Sequence, residues 1–293
     1  MKKILLILLT LCHAYIIQAQ PRIVSSIYPL QQIANAISGQ TTELIADTYL
    51  SPHQYAIKPA DAKNLNEADL VIWIGEAMMP QLTRHIDKRN GNKLTITASQ
   101  LDYIRLINNQ REHQHGDGHN SEHLLYDPHL WLSIDNAGVI ASAIADALIT
   151  LDKDNADTYR NNLAHFQQEL QSTYRELIAL FESRPPVPYF VFHDAYAYFE
   201  KTFGVSPVDM IRIHAGQSPK TKHLVELKQR LASLKKGCIF REPQFKSTLI
   251  DRLVEGTNIT VSTLDPVGYS TDPKGYAAIL RNMANQMIQC GAE

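Results

Sequence analysis

Neither sign of charge dominates this chain: 28 lysines and arginines face 30 aspartates and glutamates, for a formal net charge of −2. Sequence-independent nucleic-acid binding needs clustered cations, so that class is set aside. Beyond the N-terminus, no segment is expected to be long and apolar enough to span a bilayer. No HExxH and no nucleophile elbow is present, which removes the commonest short signatures of a hydrolase. No internal repeat is strong enough to mark a duplication. What remains is a globular composition, 44% hydrophobic and 20% charged over 293 residues. That length exceeds one minimal core and suits two domains of about 100–150 residues each.

The first residues address the compartment. Met1-Lys2-Lys3 is a short basic start, Ile4 to Leu11 an apolar run, and Gln18-Ala19-Gln20-Pro21 a polar exit. The pattern is that of a secretory signal, with cleavage expected after Ala19 and a periplasmic mature protein. The apolar run falls short of the roughly 20 residues a membrane anchor requires. A lipoprotein would use Cys12, but Leu11 is too bulky for the small residue usual before it. Without the leader, two of the three cysteines remain, Cys238 and Cys290. In an oxidising compartment an even pair suggests a disulfide, closing a loop worth roughly 4 kcal/mol in chain entropy. Two buried free thiols are the alternative.

Short apolar, β-branched runs alternate with helical spacing along the mature chain, which argues for a parallel α/β sheet. Strands are expected at 23–29, 43–49, 70–75 and 94–96, and helices at 30–39, 60–68 and 79–89. Residues 108–126 are polar, glycine-containing and poor in apolar side chains, so they read as a mobile loop. Helical spacing resumes over 136–151 and again over 152–182, a stretch of roughly 45 Å if unbroken, and stops at Pro185-Pro186. A second strand–helix series follows from Tyr189 to Ile288. The organisation expected is a signal peptide over 1–19, an N-terminal lobe over 20–152, a linking helix over 153–184 and a C-terminal lobe over 185–293.

Twelve histidines are many for this length. His85, His165 and His223 lie inside helical stretches, and His214 in a loop, all without distinctive neighbours. His53, His129 and His193 differ, because each stands where a strand or loop gives way to a helix, where open α/β sheets bind ligands. Pro52 and Pro128 stiffen the backbone before two of them. Asp265 follows an apolar strand and precedes Pro266. Three neutral imidazoles with a carboxylate or water suit Zn²⁺.

The order and wording of these segments resemble the periplasmic zinc-binding components of ABC importers, the ZnuA-like members of a helix-linked metal-binding family. Pro52-His53-Gln54-Tyr55 with Pro59-Ala60-Asp61 is similar to that family's PHxYxxxPxD segment. Asp127-Pro128-His129-Leu130-Trp131 is similar to DPHxW, Phe192-His193-Asp194-Ala195-Tyr196 to FHDAY, Glu242-Pro243-Gln244-Phe245 to EPQF, and Leu264-Asp265-Pro266-Val267-Gly268 to LDPLG. The resemblance spans residues 22–290. It implies two (βα)4 lobes joined by a rigid helix, with zinc between them on His53, His129 and His193. Manganese- and iron-binding relatives carry glutamate at the third position, so His193 favours zinc. Asp265 falls at the variable fourth position, and Glu242 at a supporting one. The Cys238–Cys290 pair matches the family's disulfide. His113, His115, His119 and His123 resemble its histidine-rich loop, a weaker second zinc site by implication. The resemblance implies a capture protein that hands zinc to an inner-membrane ABC permease; it is expected to be a non-enzymatic monomer, with a periplasmic zinc chaperone a candidate further partner that the sequence itself does not reveal. The other readings are a zinc hydrolase, a manganese- or iron-binding relative, and an adhesin.

Overall fold

The computed structural model describes residues 20–46, 50–108, 126–212, 218–269 and 271–290. Among the described residues, eight strands form two four-stranded, wholly parallel sheets. The first has the order β2-β1-β3-β4, from β1 (Ile23–Ser25), β2 (Glu43–Leu44), β3 (Leu70–Trp73) and β4 (Leu94–Thr97). The second has the order β6-β5-β7-β8, from β5 (Tyr189–His193), β6 (Asp209–Arg212), β7 (Gly237–Arg241) and β8 (Ile259–Thr263). The two orders are the same, so the architecture repeats although the sequence does not.

Prolines start helices here more than they end strands. Pro29, Pro59 and Pro80 occupy the first turns of α1 (Tyr28–Ser38), α2 (Pro59–Glu67) and α3 (Pro80–Ile86). Their fixed φ and missing N–H suit that position. The strand expected to run to Pro29 therefore stops at Ser25, and Pro29 opens α1. Gly39 closes α1 in a left-handed conformation, its N–H donating to Asn35 O. The strand expected over 43–49 is two residues long, and residues 47–49 lie outside those described.

Helix α4 (Ile134–Leu151) begins at Ser133, whose hydroxyl accepts from Asn136 N–H. Contrary to the expectation from sequence, α4 is long and apolar enough to cross a membrane by length and composition. Its packed faces explain the composition instead: eight of its side chains, from Ile134 to Leu148, are buried in the core. A separate turn at Lys153–Asn155 precedes α5 (Ala156–Ser183), which at 28 residues is about 42 Å long. The second half adds α6 (Ala197–Phe203), α7 (Thr221–Ser233), α8 (Thr248–Val254) and α9 (Tyr276–Gln289).

One apolar core runs through both halves. It joins Ile23, Val71 and Ile72 of the first sheet to Val191 and Phe240 of the second, through α1, α4, α5 and α9. A smaller core under α7 and α8 covers the other face of the second sheet, around Phe190, Phe192 and Ile239. Polar contacts stitch the long helix to both halves: Asn162 Nδ2 donates to Ile37 O at 2.9 Å, and Arg281 of α9 reaches Glu176 at 2.8 Å. Cys238 of β7 and Cys290, just past α9, form a disulfide with Cα atoms 6.0 Å apart, so the free-thiol alternative fails.

Candidate metal centre

Parallel strands end side by side, so residues one step beyond neighbouring strands become neighbours themselves. His193 is the last residue of β5, and Glu242 follows the end of β7, the strand beside it. His193 Nδ1 lies 2.7 Å from Glu242 Oε1, and both side chains are buried. From the first half, His53 stands in the turn Pro52–Gln54, after β2. His129 precedes the turn Leu130–Leu132 that leads into α4. Asp127 fixes it locally: its Oδ1 accepts from the His129 backbone N–H at 2.9 Å and lies 2.7 Å from Nδ1. Trp131 ties this segment to the second half, donating from Nε1 to Pro266 O at 2.9 Å, and Tyr276 donates back to Trp131 O at 2.6 Å.

These constraints bring three imidazoles together. His53, His129 and His193 each offer a ring nitrogen, and these atoms lie within 4.8 Å of one another. The Nε2 atoms of His53 and His129 are 3.2 Å apart, and those of His129 and His193 are 3.3 Å apart. Because His129 and His193 both present Nδ1 to carboxylates, their protons belong on Nδ1 and their Nε2 lone pairs face each other. Two lone pairs at that distance repel unless a cation lies between them. Ligands about 2.0–2.1 Å from a tetrahedral zinc sit about 3.3 Å from one another, so the spacing already fits the ion.

Charge points the same way. Asp127 and Glu242 are 4% and 2% exposed, so two carboxylates stand behind neutral imidazoles out of water. A dication compensates that buried charge, which a monocation would leave half unmet. Protons respond to the same field. Burial pulls the His193 pKa down, but the charge and hydrogen bond of Glu242, with Asp194 and Asp127 beyond, outweigh it and raise it above the usual imidazole value. Burial and the nearby carboxylates push the Tyr196 phenol far up, so it stays protonated, and its hydroxyl donates to Leu264 O at 3.4 Å.

Asp265 is buried but is not in the three-imidazole group. Its Oδ1 accepts from Gln244 Nε2 at 2.8 Å and from Val267 N–H at 3.1 Å. His113, His115, His119 and His123 lie outside the described residues, as does His214. Among the histidines set aside from sequence, His223 Nε2 lies 2.7 Å from Met210 O, a structural contact.

Residues 23–290 match the family model described as zinc-uptake complex component A, periplasmic. The chain belongs to the ZnuA family. A high-affinity zinc uptake system protein ZnuA from Yersinia pestis is 34% identical over 292 residues, covering 93% of this chain and 92% of that protein. One from Haemophilus ducreyi is 30% identical over 291 residues, covering 93% and 94%. A crystal structure of ZnuA superposes with a TM-score of 0.78 at 26% identity, covering 94% of this chain and all of the other. A zinc-bound ZnuA deletion mutant superposes with a TM-score of 0.77 at 25% identity, covering 94% and 99%.

In this ZnuA-family chain the supporting residue that sequence reasoning passed over is Asp127. Its signal was present, since Asp two positions before His is the spacing of an Asx turn that can also reach the imidazole. Glu242 was read as supporting, but its partner, His193, is 49 residues away and only the adjacency of β5 and β7 reveals the pair.

Proposed function

We propose that this protein captures Zn²⁺ in the periplasm and delivers it to an inner-membrane ABC permease. His53, His129 and His193 serve as the protein's ligands. The observation that carries this reading is the facing pair of Nε2 atoms on His129 and His193, each backed by a buried carboxylate through Nδ1. Such backing orients the ring and raises its basicity toward a metal. Asp265 takes the fourth position with a weaker hold, because its Oδ1 is already engaged by Gln244 and Val267. Zinc is cargo in this scheme rather than a catalytic centre, and the relatives are named for uptake.

The remaining parts of the proposal concern organisation. Residues 1–19 act as a cleaved export signal. The halves over 20–152 and 185–293, joined by 153–184, act as a monomer that exposes the metal rim to the permease and can receive zinc from a periplasmic chaperone. His113, His115, His119 and His123 form a weaker accessory site, since imidazoles tethered near the main site raise the local zinc concentration.

Competitive zinc titration of the metal-stripped mature protein at pH 7, with metal content by mass spectrometry, tests the scheme. One tight equivalent is expected in the wild type, with a weaker second one absent from a variant lacking residues 112–123. Failure of the same preparation to restore zinc-limited growth through its permease would remove the transport half of the proposal while leaving the binding half standing.

A further inference from the structure

A closed ring of hydrogen bonds stands beside His129. Asp127 N–H donates to Ile107 O at 2.8 Å, and Ile107 N–H donates to the Tyr198 hydroxyl at 3.0 Å. The same hydroxyl donates to Asp127 O at 2.8 Å, which completes the circuit. Tyr198 is 3% exposed and its ring belongs to the shared core, so the phenol donates and accepts out of water.

The partners come from opposite halves of the chain. Tyr198 lies in the first turn of α6, shortly after His193, and Ala195 N–H on His193 O at 2.9 Å fixes the turn between them. Ile107 and Asp127 belong to the first half. The ring thus fastens the backbone of Asp127, through both its N–H and its carbonyl, to the half that carries His193. The carboxylate of the same residue lies 2.7 Å from His129 Nδ1. On the other side of His129, Trp131 is tied to Pro266 O, so the two attachments bracket the imidazole.

We propose that Tyr198 is a positioning residue for zinc capture: its hydroxyl holds Asp127, and through Asp127 the His129 imidazole, in register with His193. The proposal rests on His129 and His193 being zinc ligands. A metal site needs its ligands within about 0.5 Å of the productive geometry, so slack at Asp127 is felt as lost affinity. Tyr198→Phe keeps the packing and opens the ring at two of its three bonds.

Zinc affinity of the mature protein is measured by competition with a chromophoric chelator at pH 7, in wild type, Tyr198→Phe, Asp127→Ala and the double variant. Tyr159→Phe is the control, because Tyr159 is similarly buried and donates to Asp152 Oδ2 at 2.7 Å, between α4 and α5. Denaturant unfolding confirms that each variant is folded. Tyr198→Phe should bind zinc about tenfold more weakly, whereas Tyr159→Phe should match the wild type. In the Asp127→Ala background the Tyr198 change should cost less than about threefold, since its route to His129 is already cut. With cobalt in place of zinc, the visible ligand-field band should change in Tyr198→Phe and stay constant in Tyr159→Phe. Affinity within about twofold of wild type in Tyr198→Phe, an unaltered cobalt band, an equal loss in Tyr159→Phe, or the full loss persisting in Asp127→Ala would overturn the proposal while leaving the zinc site standing. No tight zinc in the wild type would remove the reading beneath it, and the proposal with it.

Discussion

With His53, His129 and His193 as the proposed ligands, zinc affinity should depend on carboxylates that never need to touch the ion. Asp127 and Glu242 each meet an Nδ1 at 2.7 Å, and removing the charge loosens the ring and lowers its basicity. Asp127→Asn and Glu242→Gln should each weaken zinc about 10–100-fold with little change in stability, as competitive titration against a chromophoric chelator would show. Asp265→Asn should cost less than replacement of any of the three histidines. A larger cost would mean that Asp265 carries more of the coordination than its engaged Oδ1 suggests. The sign of the pH effect follows from His193. With its pKa raised, a proton competes for that imidazole at a higher pH than for an ordinary histidine. Zinc affinity should therefore already be falling as pH drops through 7, and a flat profile down to pH 5 would contradict this. At this scale the sequence was informative where chemistry is local. His53, His129 and His193 could be picked out by their positions at strand-to-helix junctions, whereas the pairing of His193 with Glu242 depends on which strands lie side by side.

Among the elements, the turn beyond β8 leaves no room for a side chain at Gly268. Gly268 has φ of +71°, and a Cβ there would meet Ile279 of α9 at 2.5 Å. Gly268→Ala should destabilise the protein by roughly 2–4 kcal/mol, from left-handed strain plus overpacking, measurable by denaturant unfolding. Gly91→Ala shares the positive φ but meets nothing within 4 Å, and so should cost only the conformational part. Reduction of Cys238–Cys290 should cost about 2–5 kcal/mol, because the bond fastens the end of α9 to β7. Strand and helix identities were legible here because burial on both faces gives continuous apolar strands and one-sided burial gives helical spacing. Boundaries were less so. Pro29 reads equally well as the end of a strand and the start of a helix, and only packing of α1 decides it. The apolar length of α4 was underestimated for a related reason, since alanines spread through a core helix do not form a conspicuous run.

Across the whole molecule, the shared core sets how far the two halves can move. Trp131 and Pro266, Phe166 and Tyr276, and Arg281 and Glu176 link elements on either side of the cleft or to the long helix. Moving one half as a rigid body would break that core, so zinc should change the radius of gyration little in solution scattering. The repeated strand order of the two sheets was invisible in the sequence, since parallel topology constrains hydrophobic pattern and not residue identity. Buried phenols add a pH limit to stability. Burial raises the pKa of Tyr159, Tyr189, Tyr196, Tyr198 and Tyr276, with Asp152 hydrogen-bonding Tyr159 and acidic neighbours adding to the shift in others. A group with a raised folded pKa contributes stability fully present below its unfolded value of about 10 and lost as pH climbs toward the folded one. Stability should therefore fall above pH 10, and these phenols should ionise together with unfolding in an absorbance titration.

On the proposed reading, three imidazoles from both halves of the chain converge on one zinc ion. Zinc K-edge X-ray absorption of the mature protein loaded with one equivalent at pH 7 tests it directly. At least three imidazole nitrogens at about 2.0–2.1 Å are expected, with one fewer in His193→Ala. A shell dominated by carboxylate oxygen, or one unchanged by removal of His193, would contradict it.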